Sequence, residues 1–218
     1  VWFMSDNGGL PRLDPPTTGG LRSFKGSMYE GGLRVPAIIE WPKGISNVRV
    51  TNHPAGAVDI FPTIAEVAGL EKSDLLKPQD GMSLAKLFLK EPGPRRKPLP
   101  FRSRGRIAVV DNDYKMISFP DSGKTRYELY NLANDMSEQN NLVKKEPKIA
   151  NQLRKKLKAI DASVTASVNG QDYPEKKVTP QPPRIFWWER ESYRPYFSEW
   201  IKRPEYGQRL KRHIESQK

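Results

Sequence analysis

Asp6 and Asn7 stand side by side ahead of Gly8 and Gly9, and Lys25 stands ahead of Gly26. A carboxylate next to an amide carbonyl suits a hard cation such as Ca²⁺ or Mg²⁺, not a soft metal, and the glycines let the backbone turn away without a Cβ clash. An ammonium on a flexible stem beside a glycine can approach an anionic group held at such a cation. Each piece also has a plainer reading. Asn-Gly is a common tight-turn dipeptide, a lysine before glycine is commonly a solvated loop residue, and Gly31-Gly32 is commonly a turn.

The elements that position these residues are readable from pattern. Val1-Trp2-Phe3-Met4 is an unbroken apolar run of the kind found in a strand covered on both faces, and ligand sites in open α/β sheets lie just past such strand ends. Ala37 to Trp41 reads as a short strand ended by Pro42. Asp59 is expected to cap a helix with Ile60, Ile64, Val67 and Ala68 on it, Pro62 in its first turn and Gly69 as its stop. Ser83 is expected to cap a second helix through Leu84, Leu87 and Phe88 that ends before Pro92. The run from Glu91 to Pro98 has linker composition. Arg106–Val110, Lys115–Ser118 and Arg126–Tyr130 read as an antiparallel meander, with turn residues at Asp111-Asn112-Asp113 and Asp121-Ser122-Gly123. A helix begins at Pro147, with Ile149, Leu153, Leu157 and Ile160 on one face and Lys155, Lys156 and Lys158 elsewhere.

Of the 37 Lys and Arg and 25 Asp and Glu, residues 144–218 hold 18 and 9, so most of the net charge of +12 lies in the C-terminal third. A basic surface attracts polyanions, sulfated polysaccharide and nucleic acid alike, and it equally describes a solvated helix face and a basic end. Eight of the 21 aromatic residues fall between Phe186 and Tyr206, among cations from Arg184 onward. Interleaved rings and cations stack on bases or sugars, or pack as an extended arm over a parent domain; the packing reading is favoured, because large aromatics are seldom left exposed. The chain is lean, with 36% hydrophobic residues and 20 Pro, and a mean hydropathy of −0.71. No apolar stretch reaches transmembrane length, and the absence of Cys excludes a disulfide framework and thiolate metal sites. His53, beside Pro54, reads as a surface residue.

Five segments in order, SDNGG, FKGSMYEGGLRVPAIIEWPKGI, DIFPTIAEVAG, DGMSLAKLF and RYELYNLANDMSEQNNL, together resemble the C-terminal half of the sulfatase family, the arylsulfatase-like branch of the alkaline phosphatase superfamily. The resemblance runs from residue 1 to about Pro174. It implies an α/β fold, the C-terminal portion of an alkaline-phosphatase-like domain, followed by a small antiparallel-sheet subdomain with a packed helix. The expected boundaries are 1–92 for the α/β part, 93–165 for the subdomain and 166–218 for a basic, aromatic-rich extended tail. It implies that Asp6 and Asn7 are ligands of a Ca²⁺ ion and that Lys25 contacts the sulfate of a sulfate ester and stabilises the departing oxygen. Glu30, Gly31, Gly32 and Arg34 match the same segment and are expected to form a turn that positions Lys25.

The sequence departs from that family in one large respect. Sulfatases carry a Cys or Ser, oxidised to formylglycine, in a C/S-x-P-x-R segment, and an Asp pair that completes the metal site. No such segment occurs among these 218 residues. The expectation is a C-terminal part of a sulfuric ester hydrolase, inactive by itself, with Ca²⁺ shared and formylglycine supplied from outside it. Two other readings are a phosphodiesterase or phosphonate hydrolase of the same superfamily, and a non-catalytic basic module for polyanions. The resemblance further implies a sulfate ester or sulfated polysaccharide as partner rather than nucleic acid, no membrane span, and a periplasmic, lysosomal or extracellular location.

Overall fold

Between Leu99 and Asn131 short β-forming runs are separated by turn residues, and tight turns fold the segment into a four-stranded antiparallel meander. The computed structural model, which describes residues 1–11, 14–179 and 185–217, contains two short N-terminal strands, β1 (Trp2–Met4) and β2 (Ala37–Ile39), and the meander β3 (Leu99–Ser103), β4 (Arg106–Asp111), β5 (Tyr114–Asp121) and β6 (Lys124–Asn131). Its helices are α1 (Glu30–Leu33), α2 (Ile60–Val67), α3 (Pro147–Val168), α4 (Phe197–Trp200) and α5 (Pro204–Ser216). Residues 1–177 form one packed unit and 178–218 another, so residues 93–165 share a packed body with the residues before them.

Two of the three hairpins close on Arg104-Gly105 and Ser122-Gly123, both pairs at positive φ, the geometry whose twist matches the flanking strands. Alternation then sends side chains to two faces. Ile107, Val109, Met116 and Leu129 pack on Ala150, Leu153 and Leu157 of α3, while Leu99, Ala108, Val110, Ile117 and Tyr130 pack on Met28, Tyr29 and Leu33 of the loop and helix around α1. The meander is thus clamped between α3 and the segment that carries Lys25. Its first strand, β3, contains Pro100 and lies at the sheet edge, where a missing N–H costs no ladder bond.

The N-terminal strands differ from the sequence expectation. β1 pairs antiparallel with β2 alone, in the register Phe3 to Ile38, and Phe3 and Ile38 are 64% and 63% exposed. An apolar run records a preference for burial and not what covers it, so the expected two-sided cover is absent among the described residues. The expected stripe on α2 behaves alike: its Ile64 and Val67 are exposed, as is Phe61 beside it, and the helix is anchored through Pro62, Thr63 and Ala65. The Thr63 hydroxyl donates to the Asp59 carbonyl and accepts the Leu84 amide. Gly69, at φ +75°, ends α2 with the paired bonds from Gly69 N–H to Glu66 O and Leu70 N–H to Ala65 O.

Asp59 does not cap α2 with its side chain. It is fully buried, accepts the Gly56 and Met82 amides at 2.9 and 2.8 Å, and meets Arg95 in a two-pronged pair at 2.8 Å on each oxygen. Four charge-assisted donors outcompete a single helix-end amide. Ser83 Oγ does accept the Ala85 amide, but the segment it opens is a 3₁₀ turn, Ala85–Phe88, and no α-helix.

The second unit is helical where an extended tail was expected. Two 3₁₀ turns (Trp187–Glu189 and Glu191–Tyr196) lead into α4 and α5, and the rings of Trp187, Trp200 and Tyr206 meet one another at centroid separations of 5.2 to 5.6 Å. Arg184 lies outside the described residues.

The buried Asp59–Arg95 pair generates a direct expectation. Asp59→Ala strands an unpaired guanidinium and two amides in the interior, and should cost about 3–5 kcal/mol. Urea denaturation should show the midpoint falling with an unchanged slope; a loss under about 1 kcal/mol would mean that the pair contributes no more than a surface bridge.

Candidate functional site

Backbone contacts bring the two N-terminal segments together. The Gly8 amide donates to Gly32 O at 3.1 Å and the Lys25 amide to Gly9 O at 2.8 Å, so the Asp6-Asn7 turn and the Lys25 loop lie side by side. The approach is close enough to require glycine. A Cβ at Gly8 would stand 2.1 Å from Gly31 O, and one at Gly31 would stand 2.2 Å from Ser23 O. Gly26, at φ +87°, reverses the chain immediately after Lys25.

The Asp6-Asn7 turn is pinned through its backbone. Ser5 N–H donates to Pro36 O, and Ser5 Oγ donates to the Asn7 carbonyl at 2.8 Å. Asp6 is exposed, Asn7 half-buried and Lys25 exposed. None of these three side chains is engaged in a hydrogen bond or ion pair among the described residues. No three His, Cys, Asp or Glu converge on a metal-holding arrangement among those residues either. Asp6 and Asn7 fit a Ca²⁺ ion in donor chemistry, two hard oxygens, but they fill only a minor part of a shell of about six to eight.

Beneath the loop lies a charge network that the sequence did not disclose. Lys115, fully buried on β5, places its ammonium 2.8 Å from Glu30 Oε1 and 2.9 Å from Glu138 Oε1. Glu138 also accepts the Glu30 amide at 2.6 Å, and Glu30 Oε2 accepts Arg34 Nε at 2.8 Å. Burial alone pushes the Glu30 carboxyl up, but Lys115 and Arg34 outweigh it and hold Glu30 below the usual carboxylate range. For Glu138 burial wins; helped by the Glu30 charge, it leaves that carboxyl raised despite Lys115 and the Glu30 amide.

A second cluster holds the base of the loop. The Arg22 guanidinium lies 3.8 Å from the Tyr29 ring centre, and Arg22 Nη1 donates to Tyr130 Oη at 3.0 Å and to Glu138 O at 2.7 Å. Tyr29 and Tyr130 both donate their hydroxyls to Glu128 Oε2 at 2.8 Å, and Arg126 pairs with its other oxygen. Burial pushes the Glu128 carboxyl up, yet the two phenols and Arg126 together hold it below its ordinary value. Burial and the Glu128 acceptor push the Tyr130 hydroxyl far above its own.

The structure therefore brings Asp6, Asn7 and Lys25 onto neighbouring turns and puts Glu30, Gly31, Gly32 and Arg34 in the frame beneath them. Arg22, Lys115, Glu128 and Glu138 are the additions. One signal was available: Lys115 alternates in phase with Ile117, an inward register position where a lysine needs buried partners. His53 is half-buried in a loop, and burial, with Arg95 nearby, pushes its imidazole below the usual value.

Residues 22–163 match the family described as N-sulphoglucosamine sulphohydrolase, C-terminal. The chain is 34% identical over 162 residues to a sulfatase of Formosa agariphila, which covers 67% of this chain and 29% of that protein. It is 27% identical over 183 residues to an N-acetylgalactosamine-6-O-sulfatase of Bacteroides thetaiotaomicron, covering 72% of this chain and 35% of the relative. Among solved structures it is similar to Ps i-CgsB, at 28% identity and a TM-score of 0.61 over 73% of this chain and 35% of that one. The chain spans about a third of the length of these relatives.

The carboxylate shifts set a pH dependence. Glu30 and Glu128 have folded values below the unfolded 4.5, so the stability they confer is complete above that value and is lost as pH falls through the lower folded one. Glu138, raised, acts oppositely: its contribution is complete below 4.5 and is lost as pH rises through its folded value. Glu128→Gln should therefore flatten the fall in thermal midpoint between about pH 5 and about pH 3. An acid limb as steep as that of the unaltered chain would show that Glu128 is not one of the groups that drive it.

Proposed function

Because this chain belongs to the sulfatase family, as its C-terminal part, we propose that it forms one side of the active site of a sulfuric ester hydrolase, with Asp6 and Asn7 as Ca²⁺ ligands and Lys25 as the sulfate-contacting cation. The observation that carries the reading is the interlock of Gly8 with Gly31-Gly32, together with the Lys25 amide on Gly9 O, which sets the oxygen donors and the Lys25 loop on adjacent turns while leaving all three side chains unspent. When bound, Ca²⁺ supplies a fixed double positive charge that polarises a sulfate oxygen. Asp6 and Asn7 present a carboxylate and an amide oxygen from a turn whose backbone is already satisfied, so little ordering remains on binding. Lys25 brings a mobile ammonium to the oxygens where negative charge grows as the ester bond lengthens. The remaining metal ligands and the formylglycine nucleophile belong, in this proposal, to polypeptide beyond these residues.

A sulfated amino sugar is the favoured substrate class within the sulfate esters. It is supported by the description of the matched family and by the N-acetylgalactosamine-6-O-sulfatase among the relatives.

Two experiments test this. The 218 residues alone should turn over no aryl or sugar sulfate, because charge stabilisers without a nucleophile leave the bond-making step unsupplied. In the sulfatase that contains them, Asp6→Ala and Asn7→Ala should lose bound Ca²⁺ and nearly all activity together. Lys25→Ala should keep the metal and lose about 100- to 1000-fold in kcat, the effect of deleting one oxyanion donor. Unchanged turnover in Lys25→Ala, with calcium content measured on the same sample, would reduce the Lys25 segment to a structural loop.

A further inference from the structure

In the second unit, Trp187, Tyr193, Trp200 and Tyr206 line an open hollow walled by aromatic rings. The ring planes are fixed by mutual contact: Trp187 meets Trp200 and Tyr206 edge to face at 5.6 and 5.2 Å, and Tyr193 leans on Trp200 at 5.7 Å and 43°. These rings also serve as the interior of the unit, since Leu210 is the one fully buried aliphatic side chain among its described residues. A cluster that served only as a core would close over itself. Here Tyr193 remains 36% exposed at the outer wall and the hollow stays open.

One cation stands on a lining ring and another on its neighbour. The Arg203 guanidinium lies 5.1 Å from the centre of Tyr206, and Arg209, exposed on α5, lies 5.4 Å from Trp188, which is itself packed on Trp187. A quaternary ammonium guest is disfavoured, because an arginine already occupies the field of a lining ring. A guest with an apolar ring face and anionic substituents matches both features: its C–H face packs on aromatic rings by dispersion, and its anions meet the exposed Arg209 guanidinium beside them.

We propose that this hollow is a binding subsite for a sulfated sugar ring, separate from the residues around Lys25; the choice of a sulfated sugar rests on the sulfatase reading above. Three of the five tryptophans of the chain lie in this unit, so their emission reports on the hollow. The intact chain, titrated with a short heparin oligosaccharide, should show a saturable change in tryptophan emission. An unsulfated hyaluronan oligosaccharide of equal length should bind at least about tenfold more weakly. Tyr193→Ala removes an outer wall that touches only Trp200 among the lining rings, and should weaken heparin binding about tenfold, whereas Tyr193→Phe keeps the ring and should bind as the unaltered chain does. Near-ultraviolet circular dichroism should show the remaining ring packing unchanged in both variants.

No saturable response, or unaltered affinity in a folded Tyr193→Ala, overturns the proposal. Equal binding of hyaluronan removes the sulfate requirement and overturns it too, as does a response to tetramethylammonium in place of the sugars. The titration reads binding without turnover, so its failure leaves the Lys25 kinetics standing, and failure of those kinetics leaves the titration standing.

Discussion

The constraint on which the rest depends is the buried ammonium of Lys115. A lysine with no solvent exposure on a strand is sustainable only with its charge matched in place, and Glu30 and Glu138 match it from two separate segments. Three pieces distant in sequence, β5, α1 and the turn after β6, thereby converge on one nitrogen. Glu138 holds a left-handed backbone, φ 54°, at some conformational cost, and its carboxylate meets both Lys115 and the Glu30 amide. Arg34 brings the local sum of charges to zero.

Upon that frame the Lys25 loop is held by backbone contacts more than by its own side chains. Gly31 lies against Arg22 and Ser23, Gly8 against Gly31 and Gly32, and Arg22 is clasped by Tyr29, Tyr130 and the Glu138 carbonyl. Rigid support under an uncommitted cation is what electrostatic stabilisation of a developing charge requires, since reorganisation is then completed before the reaction begins. The network also links the loop to the meander, whose opposite face rests on α3.

How far the sequence could be read depends on the range of each signal. The strands β4, β5 and β6 are announced by β-forming runs between turn residues and α3 by a period-3.6 pattern, and they fold where those signals lie. β3 was hidden because Pro98 and Pro100 interrupt its alternation, and nothing local reveals that it sits at an edge. Asp59 reads locally as a cap; only its distant partner Arg95 makes it the centre of a buried pair. Around the site, Asp6, Asn7 and Lys25 were legible as hard-oxygen and ammonium chemistry. Their support was not, because Lys115, Glu128 and Glu138 become neighbours of Glu30 and Tyr29 only after some hundred residues of chain have folded back. The aromatic run between 186 and 206 shows that rings gather, but short 3₁₀ turns leave no period from which their packing could be read.

The exposed apolar side chains on β1, β2 and α2 set colloidal behaviour against electrostatics. Phe3, Ile38, Phe61 and Ile64 offer adhesive surface, while a net charge of +12 keeps copies of the chain apart. Mutual repulsion reaches only about 10 Å at an ionic strength of 0.1 M and less at higher salt, whereas the attraction between apolar faces is not screened. Added salt, the usual remedy for a basic protein that clings to polyanions, would therefore bring these faces together and make concentrated solutions less stable.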